Sequence, residues 1–147
     1  MINKPALLDF IIKSVNIKIA DLTSMIDDMR ASNNDTKSSM GDKYETGREM
    51  LQQQINHLQN QLNVVLAQHN ILNKINLAER KIVSQGSIVK TDTACYFIAT
   101  SVGEVVYEKK KIFVISEQSP VALAMMKKSI NDLFIFNNKQ QKIQELY

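Results

Sequence analysis

Two carboxylates, Asp42 and Glu45, stand at D-x-x-E spacing in the stretch Ser38-Ser39-Met40-Gly41-Asp42-Lys43-Tyr44-Glu45-Thr46-Gly47-Arg48-Glu49. Such a pair can serve a partner, or it can occupy the free N–H groups at a helix start, as a capping box does. Thr46-x-x-Glu49 is the better-formed box, because Ser or Thr is usual at the cap position. With Thr46 as N-cap, Asp42 and Glu45 are left in a loop and need another use. Lys43 sits between them, and from Asp27 to Glu49 six acidic residues stand against four basic ones, a net of −2. The other reactive side chains offer less. Cys95 falls in a strand-like run, with no His nearby in sequence and no strand-to-helix elbow, so it reads as a packing residue rather than a nucleophile. His57 has no Cys or carboxylate at ligand spacing and His69 falls on an apolar seam, so no zinc site is argued.

The elements that must position the carboxylates are two long heptad patterns. Pro5 suits a first helical turn, and Leu8, Ile12, Val15, Ile19, Leu22, Ile26 and Met29 then recur at alternating spacings of four and three. That is a coiled-coil seam, predicting a helix from residue 5 to about 32. Phe10, Ile11 and Ile17 widen its apolar surface near the start. Leu51, Ile55, Leu58, Leu62, Val65, His69 and Leu72 repeat the alternation, predicting a second helix over about 43–77. Equal period and similar length predict an antiparallel hairpin over residues 1–77, with its tip at about 33–46. Between Glu49 and Lys74 the chain has no formal charge, only Gln, Asn and the two His among its polar side chains. That reads as a solvated face.

Periodicity changes after Ala78. Lys81–Lys90, Ala94–Ser101 and Lys111–Ile115 read as strands rich in Val, Ile and aromatics. Ser119-Pro120 is a helix-start signal, N-cap serine then proline at N1, opening Val121 to about Lys128. Leu133–Phe136 and Gln140–Leu146 read as a hairpin around Asn137-Asn138. Residues 78–147 are therefore a small α+β domain, near the lower size limit for independent folding. The class predicted for the whole chain is α+β, a helical hairpin followed by that domain.

Composition sets outer bounds. A formal charge of +3 with pI near 8.9 permits an acidic partner without demanding nucleic acid. The single cysteine excludes an intramolecular disulfide framework and fits a reducing compartment. Asp9, Lys13 and Lys18 interrupt the apolar N-terminal stretch, so neither a signal peptide nor a membrane span is read there. The chain is expected to be cytoplasmic. It has no G-x-G-x-x-G or Walker glycine run to cradle a nucleotide.

The layout resembles the Gre family of bacterial transcript-cleavage factors, which carry an N-terminal antiparallel coiled coil and a C-terminal domain of FKBP-like fold. Gly41-Asp42-x-x-Glu45 is similar to the family's G-D-x-x-E, and Val114-Ile115-Ser116-x-x-Ser119-Pro120-Val121-Ala122 to its I-S-x-x-S-P segment, preceded here by Gly86-Ser87-Ile88-Val89. The resemblance implies an accessory factor rather than an enzyme. Its coiled coil enters the secondary channel of RNA polymerase and meets the nascent RNA 3′ end only indirectly. Asp42 and Glu45 would help hold a Mg²⁺ shared with the polymerase, and the chain has no cofactor of its own. Ser119 and Pro120 would shape the partner-docking domain. Thr46-Gly47-Arg48-Glu49 departs from the family's Asn-rich continuation. Two rival expectations stand beside this one: a channel-binding regulator that does not promote cleavage, and a coiled-coil assembly module whose seam closes in trans. The leading reading expects a monomer.

Overall fold

The computed structural model describes residues 2–39 and 45–147, the side chains of residues 35–39 and 45 aside. Its elements are helices α1 (Lys4–Ser39) and α2 (Glu45–Lys74), strands β1 (Ile88–Thr91), β2 (Cys95–Ala99), β3 (Gly103–Tyr107) and β4 (Lys110–Ser116), helix α3 (Pro120–Met125), and strands β5 (Leu133–Phe136) and β6 (Lys139–Leu146). The chain divides into two compact units, one of Met1–Ile12 with Asn70–Tyr147 and one of Lys13–His69.

The Lys13–His69 unit is a helical hairpin. Ile55, Leu58, Leu62 and Val65 are buried on α2, and Val15, Leu22 and Ile26 on α1. Ile19, Met29 and Leu51 are half-buried at the remaining seam positions. The helices are antiparallel: Lys18, early in α1, shares a cleft with Gln61, Val64 and Gln68, while Met25 and Met29 share another with Met50 and Leu58. The neutral face of α2 is laced by amide pairs four residues apart. Gln52 Nε2 donates to Asn56 Oδ1 at 3.0 Å and Gln59 Nε2 to Asn63 Oδ1 at 3.1 Å. Such i,i+4 bonds support a solvated helix face without charge.

The other unit is built on one six-stranded sheet in the order β3-β4-β2-β1-β6-β5. Only β2 and β4 run parallel; β1–β2, β1–β6, β3–β4 and β5–β6 are antiparallel. One face of the sheet packs Val89, Tyr96, Ile98 and Ile143 against Val121, Ala122 and Met125 of α3, with Val83 and Phe134 closing the rim. The opposite face carries Ile88, Phe97, Ile112 and Val114, all fully buried. Helix ends within the same unit cover it. The Phe10 ring lies 5.3 Å from that of Tyr107, and Leu7, Ile11 and Leu72 are fully buried.

The structure corrects several boundaries read from sequence. In α1 the fully buried residues at the start are Leu7 and Ile11, while Leu8 and Ile12 are only half-buried. There the buried stripe is broader than a heptad seam. α1 continues to Ser39, and α2 stops at Lys74. Beyond α2, Asn76 Oδ1 accepts the Ala78 N–H at 2.8 Å, a local bond that competes with helix continuation. The strand expected over Lys81–Lys90 shrinks to its last part. Ser84 N–H donates to Ser87 Oγ at 3.0 Å and Ser87 N–H to the Ser84 carbonyl at 3.0 Å, and Gly86 takes φ +93. These turns consume the backbone groups that a ladder needs. α3 ends at Met125, with Lys127 at φ 66. β3 was absent from the sequence reading. No helix among the described residues is long and apolar enough to cross a membrane.

Candidate functional site

The two helices lead directly toward the acidic stretch: α1 closes at Ser39 and α2 opens at Glu45. Asp42 lies outside the described residues, and so does the side chain of Glu45. The backbone of Glu45 is already helical, which corrects the reading of Thr46 as N-cap. Thr46 is an exposed residue of the first turn, and Gly47 beside it has open space where a Cβ would stand. Next along the hairpin come Met25, Met29, Met50, His57 and Leu58, which line one cleft of about 380 Å³. His57 is exposed, with its Nε2 2.9 Å from Gln61 Nε2.

The I-S-x-x-S-P segment connects β4 to α3, and its hydroxyls hold the connection together. Ser116 Oγ accepts the Gln118 N–H at 3.1 Å and donates to Gln118 Oε1 at 2.9 Å. Ser119 N–H donates to the Ser116 carbonyl at 3.0 Å. Ser119 then caps α3, its Oγ accepting the Ala122 N–H at 3.3 Å, with Pro120 in the first helical position. Proline costs nothing there, since the N–H it lacks has no helical partner to lose. The cap aims Val121, Ala122 and Met125 into the core and leaves Leu123 63% exposed. Ser119 and Pro120 thus set the direction of α3, and Leu123 is the apolar side chain they leave at its surface.

A second, more polar hollow of about 390 Å³ lies at the β1–β2 end, lined by Lys90, Asp92, Thr93, Cys95, Lys110 and Glu145 among others. Burial pushes the Cys95 thiol up from its ordinary pKa, Lys90 and Lys110 opposing and Glu145 adding to the rise. A thiol held in its neutral form is a poor nucleophile. Beside it, Thr91 organises the turn into β2. Its Oγ1 accepts the N–H groups of Thr93 and Ala94 at 3.1 and 3.0 Å and lies 2.8 Å from Gln141 Oε1, to which Tyr96 OH also donates at 3.2 Å. Gln141 is buried. This network was not read from sequence, because Thr91 and Gln141 are fifty positions apart and neither belongs to a recognisable motif.

No family model and no curated protein matches the chain. Among solved structures it is similar to one of the transcription factor Gfh1, at 12% identity and TM-score 0.37, over 90% of this chain and 89% of that one. It is similar also to the GreA factor homolog 1 (Gfh1) protein of Thermus thermophilus, at 11% identity and TM-score 0.38, over 92% and 94%. The Gfh1 of Thermus aquaticus gives 11% identity and TM-score 0.35, over 92% of each chain.

Proposed function

We propose that this chain is a Gre-like transcription elongation factor that binds RNA polymerase through its secondary channel and stimulates the polymerase's own cleavage of backtracked RNA. The observation that carries the reading is the hairpin. Helices of 36 and 30 residues, about 54 and 45 Å long at ~1.5 Å per residue, flank Asp42 in sequence, the second of them opening at Glu45 itself. Their seams are buried within the chain, which supports a monomer that reaches into a partner over a module that completes its seam in trans.

In this reading the protein is a cytoplasmic accessory factor, and the polymerase is the enzyme. Asp42 and Glu45 offer hard oxygen donors of the kind Mg²⁺ prefers, but too few for an octahedral shell, so partner groups and water supply the rest. Bound there, the ion supplies Lewis acidity to an attacking water or a leaving oxygen. The α3 segment opened by Ser119 and Pro120 presents the docking surface on an FKBP-like domain. One observation favours a second reading, a regulator that binds the channel without promoting cleavage: Lys43 stands between the two carboxylates and draws on the charge that a cation would need.

Backtracked elongation complexes incubated with the protein and Mg²⁺ distinguish the two. Cleavage should accelerate, and Asp42→Asn with Glu45→Gln should remove at least about tenfold of the gain, roughly the 1.4 kcal/mol of one lost charged contact. Co-elution with the polymerase without accelerated cleavage would establish the regulator instead. Absence of co-elution sinks both.

A further inference from the structure

The six-stranded sheet ends on β3 at one side and on β5 at the other. Sheet edges are normally blunted by charge, proline or a bulge. β3 carries Glu104, paired with Lys111 at 3.5 Å, and its Tyr107 rests against Phe10. β5 reads Leu133-Phe134-Ile135-Phe136, with no charge, no proline and an unbroken register against β6. Its hairpin turn at Asn137-Asn138 closes on Phe136 and Lys139. In a two-residue hairpin the closing pair exchanges both backbone bonds, and so does every second pair from it. Phe136 and Phe134 therefore bond across to β6, while Leu133 and Ile135 turn their N–H and C=O outward. Among the described residues no backbone group beyond β6 reaches them. Side chains alternate in the same way. Phe134 and Phe136 pack into the core cluster with α3, and Leu133 and Ile135 stand 49% and 68% exposed. Open backbone groups and exposed apolar side chains thus belong to the same two residues. We propose that β5 takes up an extended segment of a partner protein as a seventh strand, its apolar side chains lying against Leu133 and Ile135 and its flanking residues acidic.

Strand addition draws its affinity from main-chain bonds and its specificity from the side chains beside them. Charge supplies that specificity here. From Lys127 to Lys142 four lysines (127, 128, 139 and 142) stand against one acid, Asp132, a net of +3. Asp132 is already engaged, its Oδ2 accepting from Ser129 N–H at 2.8 Å and from Ser129 Oγ at 3.2 Å. Lys142 lies opposite Leu133 in the register and Lys139 opposite Phe136, while Lys127 and Lys128 lead into the strand. A second copy of the chain fits worse, because it would set one lysine-rich edge against another. An edge of four residues, about 13 Å at ~3.3 Å per residue, is also short for a stable dimer, whose interface buries about 800 Å² on each partner. The surface uses neither Asp42 nor Glu45 and stands independently of the transcriptional reading.

The probe is a fluorescein-labelled peptide, Glu-Asp-Val-Thr-Val-Asp-Glu, added to the full-length protein and followed by fluorescence anisotropy. An analogue with lysine in place of each acid is the control. The acidic peptide should bind, more weakly as salt is added, and the basic one should not. Leu133→Thr with Ile135→Thr keeps strand propensity while removing the apolar surface, and should weaken binding by about tenfold. Lys139→Glu with Lys142→Glu should weaken it by a similar factor. Ile135→Pro removes an outward N–H, at a place where an edge strand tolerates proline, and should weaken it likewise. Amide exchange carries the signature of an added strand. In the free protein the Leu133 and Ile135 amides should exchange fast and those of Phe134 and Phe136 slowly; with the acidic peptide all four should be slow. Failure of that peptide to bind at millimolar concentration overturns the proposal. So does binding that leaves the Leu133 and Ile135 amides unprotected. Protection of those two amides that grows with protein concentration, without peptide, would give the edge to a second copy and overturn it as well.

Discussion

The hairpin and the sheet unit bury their apolar residues in different ways. Along α2 from Ile55 to Val65 a buried side chain comes every third or fourth residue, and those between are largely exposed. In the sheet unit burial runs through consecutive residues, Ser87–Val89 and Tyr96–Thr100, because β1 and β2 are covered on both faces. The first pattern is a seam one residue wide and bordered by water; the second is a closed interior. A truncation on the seam can relax toward solvent, whereas one in the sheet leaves a cavity that its neighbours cannot fill.

The largest expected effect follows from that contrast. Phe97 is fully buried in a central strand, and Phe97→Ala should cost about 3–5 kcal/mol. Leu62, on the seam with 9% exposure, should cost only about 2 kcal/mol on truncation to Ala, the low end for a leucine. Two units need not unfold together, so hydrogen exchange followed separately in each unit, beside denaturant melts, is the suitable measurement. A Leu62→Ala loss as large as that of Phe97→Ala would mean that the hairpin is packed like a closed core.

Glycines in the two regions should respond with opposite signs. A Cβ at Gly86 would lie 2.2 Å from the Asn76 carbonyl oxygen, on a backbone at φ +93. Gly86→Ala should therefore destabilise the sheet unit by about 2–3 kcal/mol, strain and clash together. Gly47, in the first turn of α2, meets nothing within 4 Å. Gly47→Ala should stabilise its helix by about 0.5–1 kcal/mol by lowering the entropy of the unfolded chain. Equal signs in thermal melts of the two variants would break the comparison.

These differences also explain what could be read in advance. The α2 seam was legible almost residue by residue, from Leu51 to Leu72, because a period of three and four admits few other folds. The start of α1 was shifted by one residue, since Leu7, Leu8, Ile11 and Ile12 form a single broad stripe whose centre depends on what it covers. The β5–β6 hairpin announced itself through Asn137 and Asn138, both at positive φ as a two-residue turn requires. The β3–β4 hairpin uses Glu108 and Lys109 at φ 50 and 65. Neither residue type advertises that conformation, and β3 carries mostly exposed side chains. Of the candidate site, the cap at Ser119 was visible from its Ser-Pro pair. The Met25–His57 cleft was not, because its members come from two helices whose register no local pattern encodes.

A further modest effect concerns that same cap, and it sharpens what the sheet unit presents to a partner. Ser119→Ala removes the oxygen that accepts the Ala122 N–H and should cost about 1 kcal/mol. α3 is a short helix of six residues, so its first turn should fray before the sheet melts, visible as faster exchange at the Ala122 amide. Ser119→Asp supplies another cap acceptor and should restore that protection. If co-elution with RNA polymerase weakens in Ser119→Ala and recovers in Ser119→Asp, the serine acts by directing α3 and its exposed Leu123. Loss of co-elution in both variants, with exchange protection intact in Ser119→Asp, would instead make the hydroxyl itself a contact. Leu123→Ser supplies the independent arm, because it leaves the cap intact and removes only the apolar side chain that the cap holds at the surface.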